Sequence, residues 1–375
     1  MNNTYFWSFV LMKKIIPIII VLSLCLSLFA CGSKYKPVES TQEEKRVMYT
    51  MSIDGERYEV KYELYRALFL QYKSKIDGGN ASVWSGEEKD KYISAINEII
   101  FNRISDVYAV FHLCKEVGID VYSKVVEDTI SDYIKVSVEG GSIDNMQIAG
   151  FGGDYDAYLA HLKAEYMNYS VQVLLYRYSI AYLMLEDYYA DKVSGEDGVS
   201  YTREDVKAYY DSDECVKVLE AFLSTTTPTD KLINTIERAK SLRDGIAQQS
   251  DEYDVGTYMI ANTLSAEGLR DGMVIGKYSL DPAYYADLTA AAFSLRVGDT
   301  SEVIEVITGA SNGYYILYRA EKSEEHFEKC YEEIEASYIL NLIGKDVAGA
   351  AATLKDSISN TGAFTSLVHA EISMD

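Results

Sequence analysis

Ala291-Ala292-Phe293-Ser294-Leu295-Arg296-Val297-Gly298-Asp299-Thr300-Ser301 holds the end of a helix, its stop and the approach to a strand. Pro282 starts that helix, Leu288 joins Ala291, Ala292 and Phe293 on its apolar face, and Gly298-Asp299 ends it. Downstream, 301–306 and 314–320 read as strands joined by a Thr-Gly-Ala-Ser-Asn-Gly loop. Upstream, 215–224 is strand-like, and 230–249 carries Leu232, Ile233, Ile236, Ala239, Leu242 and Ile246 at helical spacing. Val274 to Tyr278 is extended. Strand, helix, strand, helix and two final strands over residues 213–322 predict a small α+β domain.

Its flanks are helical. Residues 47–59 read as a two-stranded ribbon around the turn dipeptide Asp54-Gly55. In 61–75, Tyr65, Leu68, Phe69 and Tyr72 form one helical stripe. Ser85-Gly86-Glu87-Glu88 has capping-box spacing and predicts a helix running through Ile96, Ile100, Ile104 and Phe111 to a stop at Gly118. A third helix covers 123–138. The glycine-rich stretch 140–153 lacks the lysine and hydroxyl of a phosphate loop and reads as a flexible connection, with Asp154 capping a helix that continues to 192. A polar break at 194–200, a short helix at 202–210, and helices at 324–343 and 345–358 complete the chain. The expected class is α+β: a mainly helical domain at 47–212, the small domain at 213–322 inserted into it, and 323–375 returning to the helical domain.

Residues 12–31 begin with Lys13 and Lys14, continue through an apolar run from Ile15 to Phe29, and end at Ala30-Cys31. The run is short for a permanent span, and the sequence after it, 32–44, is polar and linker-like. This segment resembles the lipobox of a bacterial lipoprotein signal, with Phe29 bulkier than usual. The resemblance implies that Cys31 carries lipid and becomes the mature N-terminus. Anchorage at the extracytoplasmic face of a Gram-positive-type cell membrane follows. An uncleaved signal anchor is the alternative, and Met12 reads as the true start.

The segment before Cys31 carries two of the 35 Lys and Arg and none of the 58 Asp and Glu, so the mature balance is 33 minus 58, or −25. Such an acidic surface excludes a nucleic-acid partner and argues against broad adhesion to anionic lipid. Cys114, Cys215 and Cys330 are too few and too scattered for a disulfide framework or a thiolate metal site. No two of His112, His161, His326 and His369 stand at ligand spacing, so neither metal nor cofactor is expected. Tyrosine is abundant, 33 against 11 phenylalanines. It suits both surfaces that grip polypeptides and the edges of helical cores.

The segment 291–301 resembles the Ala-Ala-Phe, Leu, Gly-Glu, Ser signature of the parvulin family of peptidyl-prolyl isomerases. Gly313-Tyr314-Tyr315-Ile316-Leu317 stands where that family has Gly, a variable residue, His, Ile, Ile; Gly276-Lys277-Tyr278 resembles its Gly-x-Phe, and Val216 to Leu223 its first strand. The whole chain is similar to secreted foldases of the PrsA and SurA type. The resemblance implies a substrate slot lined by Tyr278, Tyr284, Leu288, Phe293 and Tyr315, with Ala221 and Tyr315 at the positions of the family's two histidines. With both histidines absent, isomerisation is expected to be weak or lost. The implied role is a lipid-anchored extracytoplasmic foldase or chaperone whose partners are unfolded or newly exported polypeptides, with the membrane reached through lipid on Cys31. A homodimer is left open. Two other classes remain: a solute-binding lipoprotein, which requires repeated parallel strand–helix units, and an assembly lipoprotein with a single partner.

Overall fold

The computed structural model describes residues 35–143, 146–190, 200–225, 235–263, 271–280, 282–306 and 313–374, without the side chains of 146 and 282–284. The signal segment, Cys31 and most of the polar break lie outside the described residues. Contacts divide the chain into two units, one holding 188–345 and the other 35–187 with 346–374.

In the 35–187 unit, β1 (Val47–Ile53) and β2 (Glu56–Lys61) pair antiparallel with Ile53 opposite Glu56. Asp54 and Gly55 take φ of 50° and 80°, the left-handed pair that a two-residue hairpin turn requires. Helix α1 (Tyr62–Asp77) buries Tyr65, Leu68 and Phe69 and stops at Gly78. Helix α2 (Lys89–Glu116) buries Ile96, Ile100, Ile104 and Phe111. It begins without the expected capping box: Asn80 caps a 3₁₀ turn over Ala81–Trp84, and no side chain caps α2 itself. Ser123 caps α3 (Lys124–Glu139).

The glycine-rich connection is a small ladder, β3 (Gly141–Ile143) with β4 (Met146–Ile148). Gly140 and Gly150 lie so close that a Cβ on either would overlap the other strand's backbone. Asp154 caps α4 (Tyr155–Ala164) as its position suggests. The single long helix expected after it is instead two, because Tyr166 turns to φ 61° and the side chain of Asn168 accepts from Val171 N–H at 2.9 Å to start α5 (Tyr169–Ala190). Val126, Ile130, Ile134, Tyr158, Leu162 and Ile180 form a core among these helices.

The other unit opens with α6 (Arg203–Asp211), closed by a Thr202–Asp205 capping box. It continues through β5 (Cys215–Ser224), α7 (Ile236–Ile246), α8 (Glu252–Asn262), β6 (Met273–Gly276), α9 (Pro282–Ser294), β7 (Ile304–Val306) and β8 (Gly313–Ala320). Helix α8 is an addition to the expected order; Asp251 caps it, and Val255 and Met259 fasten it to the sheet. The sheet order is β6-β5-β8-β7, antiparallel at every pair. Helices α7 and α8 cover one face and α9 the other.

Helices α6, α10 (Glu324–Lys329) and the first part of α11 (Tyr331–Asp356) group by contacts with this unit. The reason is a polar and apolar seam. Val206, Tyr209, Tyr210, Phe327 and Ile334 pack on Cys215 and Val274, while Tyr210 bonds His326 Nδ1 at 2.9 Å and Tyr209 bonds Ser337 at 2.9 Å. Helix α11 also runs unbroken through Gly344, where a Cβ would overlap the carbonyl of Tyr278.

Beyond α11 the chain re-enters the 35–187 unit. Strand β9 (Ser359–Asn360) pairs with β1, Thr361 donates to the Val47 carbonyl at 2.8 Å, and α12 (Gly362–Thr365) lays Phe364 against Tyr49 and Tyr65. The protein is thus α+β and mainly helical. Among the described residues no helix is long and apolar enough to cross a membrane.

Candidate functional site

The α9 face of the small sheet is where the resemblance places its slot. Strand β5 is central and buried along nearly its whole length, so its side chains alternate between two apolar layers. Val216, Val218 and Phe222 face α9 with Leu288, Ala292, Tyr315 and Leu317; Leu219, Ala221 and Leu223 face α7 and α8 with Ile316. Ala221 and Tyr315, read as the two histidine positions, therefore lie on opposite faces and cannot act together. Tyr315 stands opposite Phe222, with ring centroids 4.6 Å apart. A one-residue shift in register moves every side chain to the other layer, and the sequence alone left that step unfixed.

The α9 face carries a polar residue with no counterpart among the expected slot residues. Glu220, between Val218 and Phe222 on β5, is 8% exposed, and burial pushes its carboxyl up to about 7. The Tyr315 phenol is pushed well above its ordinary value, by burial first and then by Glu220 and Tyr285. Tyr285 comes from α9, half-buried against the same cluster. Glu220, Tyr285 and Tyr315 thus form a buried acid–phenol group with no imidazole. The signal for it was a lone glutamate amid the apolar run Val216 to Leu223.

The other expected slot residues are divided. Leu288 is 2% exposed and built into the core, so it fills the space rather than lining an open slot. Phe293 is half-buried against the same cluster. Tyr278 does not belong to it: its N–H donates to Asn341 on α11 at 3.0 Å, and the residue is 38% exposed. The side chain of Tyr284 lies outside the described residues.

The segment 291–301 itself is scaffold. Gly298 takes φ 91° and donates to the Arg319 carbonyl at 2.8 Å, Arg319 returns a bond to Asp299 at 2.9 Å, and Ser301 N–H donates to Leu317 at 2.8 Å. The buried Ser301 hydroxyl also accepts from Leu317 N–H at 2.9 Å. Gly313 is required because a Cβ there would overlap the Phe222 ring. Beside this segment lies a cleft of about 340 Å³ on the α7 side, lined by Arg243, Gln249, Asp299 and Tyr318 among others. Its lining is more polar than a proline slot requires.

Cys114 and Cys215 are buried and Cys330 half-buried; burial pushes their thiols up to about 12, 11 and 11, so none is an activated nucleophile.

No family model matches the chain, and no curated protein matches it. Among solved structures, a foldase protein PrsA from Streptococcus pneumoniae is 15% identical over 84% of this chain and 96% of its own, with a TM-score of 0.25. PrsA from Lactococcus lactis is 15% identical over 88% and 99%, at 0.24, and PrsA from Bacillus subtilis 14% identical over 84% and 93%, at 0.23. At such TM-scores a likeness is no guide to fold or activity.

Proposed function

We propose that this protein is a lipid-anchored extracytoplasmic chaperone for exported polypeptides, in which the small domain is a parvulin-like module with weak or lost isomerase activity. The observation that carries the reading is the contrast within that module. The segment resembling the parvulin signature forms the helix stop, glycine turn and strand contact of an ordered sheet, while the face behind it is filled by Leu288 and Phe222 and holds Glu220, Tyr285 and Tyr315.

Rotating an X-Pro bond must overcome about 18–20 kcal/mol, and a catalyst lowers that barrier with an apolar slot and groups that favour the twisted amide. A closed face with a carboxyl raised by burial and a phenol raised further is poorly matched to that task. Binding remains as the contribution to clients.

A solute-binding lipoprotein fits less well, since every strand pair among the described residues is antiparallel rather than part of a parallel strand–helix repeat. A single-partner assembly role is separated by experiment. The purified protein, added at near-stoichiometric amounts to several unrelated unfolded clients, is expected to suppress their aggregation as followed by light scattering. Suppression of none of them overturns the chaperone reading, and suppression of one alone favours the assembly role.

A further inference from the structure

The β1–β2 turn and the last turn of α2 bring together three side chains that the sequence shows only as separate features. Nε2 of His112 lies 3.3 Å from a carboxylate oxygen of Asp54 and 3.5 Å from one of Glu116. One ligand atom from each of the three falls within 4.8 Å of the others. The histidines alone show no ligand spacing; the pairing here is His112 with Glu116, four residues apart on one face of α2, completed by a turn residue from β1–β2.

The histidine separates this group from an ordinary acidic patch. His112 is 4% exposed, and its Nδ1 is buried with no hydrogen-bond partner, so the ring's only partners among the described residues are the two carboxylates facing Nε2. A bare Nε2 lone pair aimed at two anions is repulsive, so a proton or a cation must lie between them. Among the described residues neither carboxylate has a lysine or arginine partner, and Lys115, the nearest such residue in sequence, is engaged by Glu56.

The two Nε2–oxygen distances are compatible with a shared ion. Ligands held tetrahedrally at the usual zinc–nitrogen and zinc–oxygen lengths stand about 3.3–3.4 Å apart, close to both spacings here. One imidazole and two carboxylates form a set suited to a divalent transition ion, and three protein ligands leave one position for water. Glu116 is the last residue of α2, so the carbonyl end of the helix adds to the attraction for a cation.

We propose that Asp54, His112 and Glu116 form a binding site for one divalent transition-metal ion, zinc foremost, that ties the hairpin turn to the end of α2. The test is calorimetric titration of chelator-treated full-length protein with Zn²⁺, paired with Co²⁺ absorption spectroscopy. One saturable site is expected, with intense tetrahedral d–d bands and no thiolate charge-transfer band. Asp54→Asn and Glu116→Gln, both at solvent-exposed side chains, should each weaken binding by at least the roughly 10–100-fold that loss of an outer-shell partner typically costs. His112→Ala should abolish it, and Glu59→Gln, an exposed carboxylate outside the group, should leave it unchanged. Absence of saturable binding, affinity undiminished in Asp54→Asn and Glu116→Gln, or a thiolate band would overturn the proposal.

Discussion

The segment 291–301 and the turn at Asp54 are opposites. Residues 291–301 carry the most recognisable sequence in the chain, and nearly all of it serves architecture: a helix end, a glycine at φ 91° and a buried serine that joins the strand approach to β8. The Asp54 turn has the sequence of an ordinary Asp-Gly hairpin, yet it closes a group of potential ligand atoms with α2. Motif residues can persist because a sheet needs them, whereas chemistry can assemble from residues that are unremarkable until the chain folds. Recognition and reactivity are therefore separate questions in this molecule.

Three perturbations break or sharpen that contrast. Leu288→Ala should have the largest effect, about 2–5 kcal/mol of destabilisation in urea unfolding, because the side chain fills the core between α9 and the sheet. A loss under about 1 kcal/mol would mean that Leu288 borders open space, as a slot residue should.

Glu220 comes next, through pH. In the unfolded chain its carboxyl titrates near roughly 4.3, and burial raises it to about 7 in the folded protein. The folded state thus holds the proton more tightly. The stability linked to it is complete below about pH 4, declines as pH rises and is gone above about pH 7, a change of about 3–4 kcal/mol. Glu220→Gln should flatten that part of the stability profile between about pH 4 and pH 7 and stabilise the protein at the upper end. An unchanged slope in the variant would show that the carboxyl is solvated.

The smallest effect belongs to the turn. In metal-free protein, Asp54→Asn and Glu116→Gln should each change stability by no more than about 0.5 kcal/mol, as exposed substitutions do. A larger loss without metal would make the group a structural ion pair.

Much of the fold was legible because its signals are local. The Asp54-Gly55 hairpin, the apolar stripe of α1, the Asp154 cap and the strand character of β5 each rest on neighbours in sequence. The missed features depend on distant partners. Helix α11 continues through Gly344 because that glycine admits the Tyr278 backbone, and α10 joins the small sheet because His326 meets Tyr210. The candidate sites were less legible for the same reason. Register decided that Ala221 and Tyr315 face apart, and folding alone brought His112 to Asp54.

The central proposal is that the α9 face of the small domain, filled among the described residues by core side chains such as Leu288 and Phe222, supports only weak isomerisation or none. Exchange NMR on a panel of X-Pro peptides, with a few per cent of the protein added, tests it directly. Cis/trans exchange at or only slightly above the uncatalysed rate is predicted for every peptide. Marked acceleration that disappears in Tyr315→Phe or Glu220→Gln would contradict the proposal and make the buried acid–phenol group an active site.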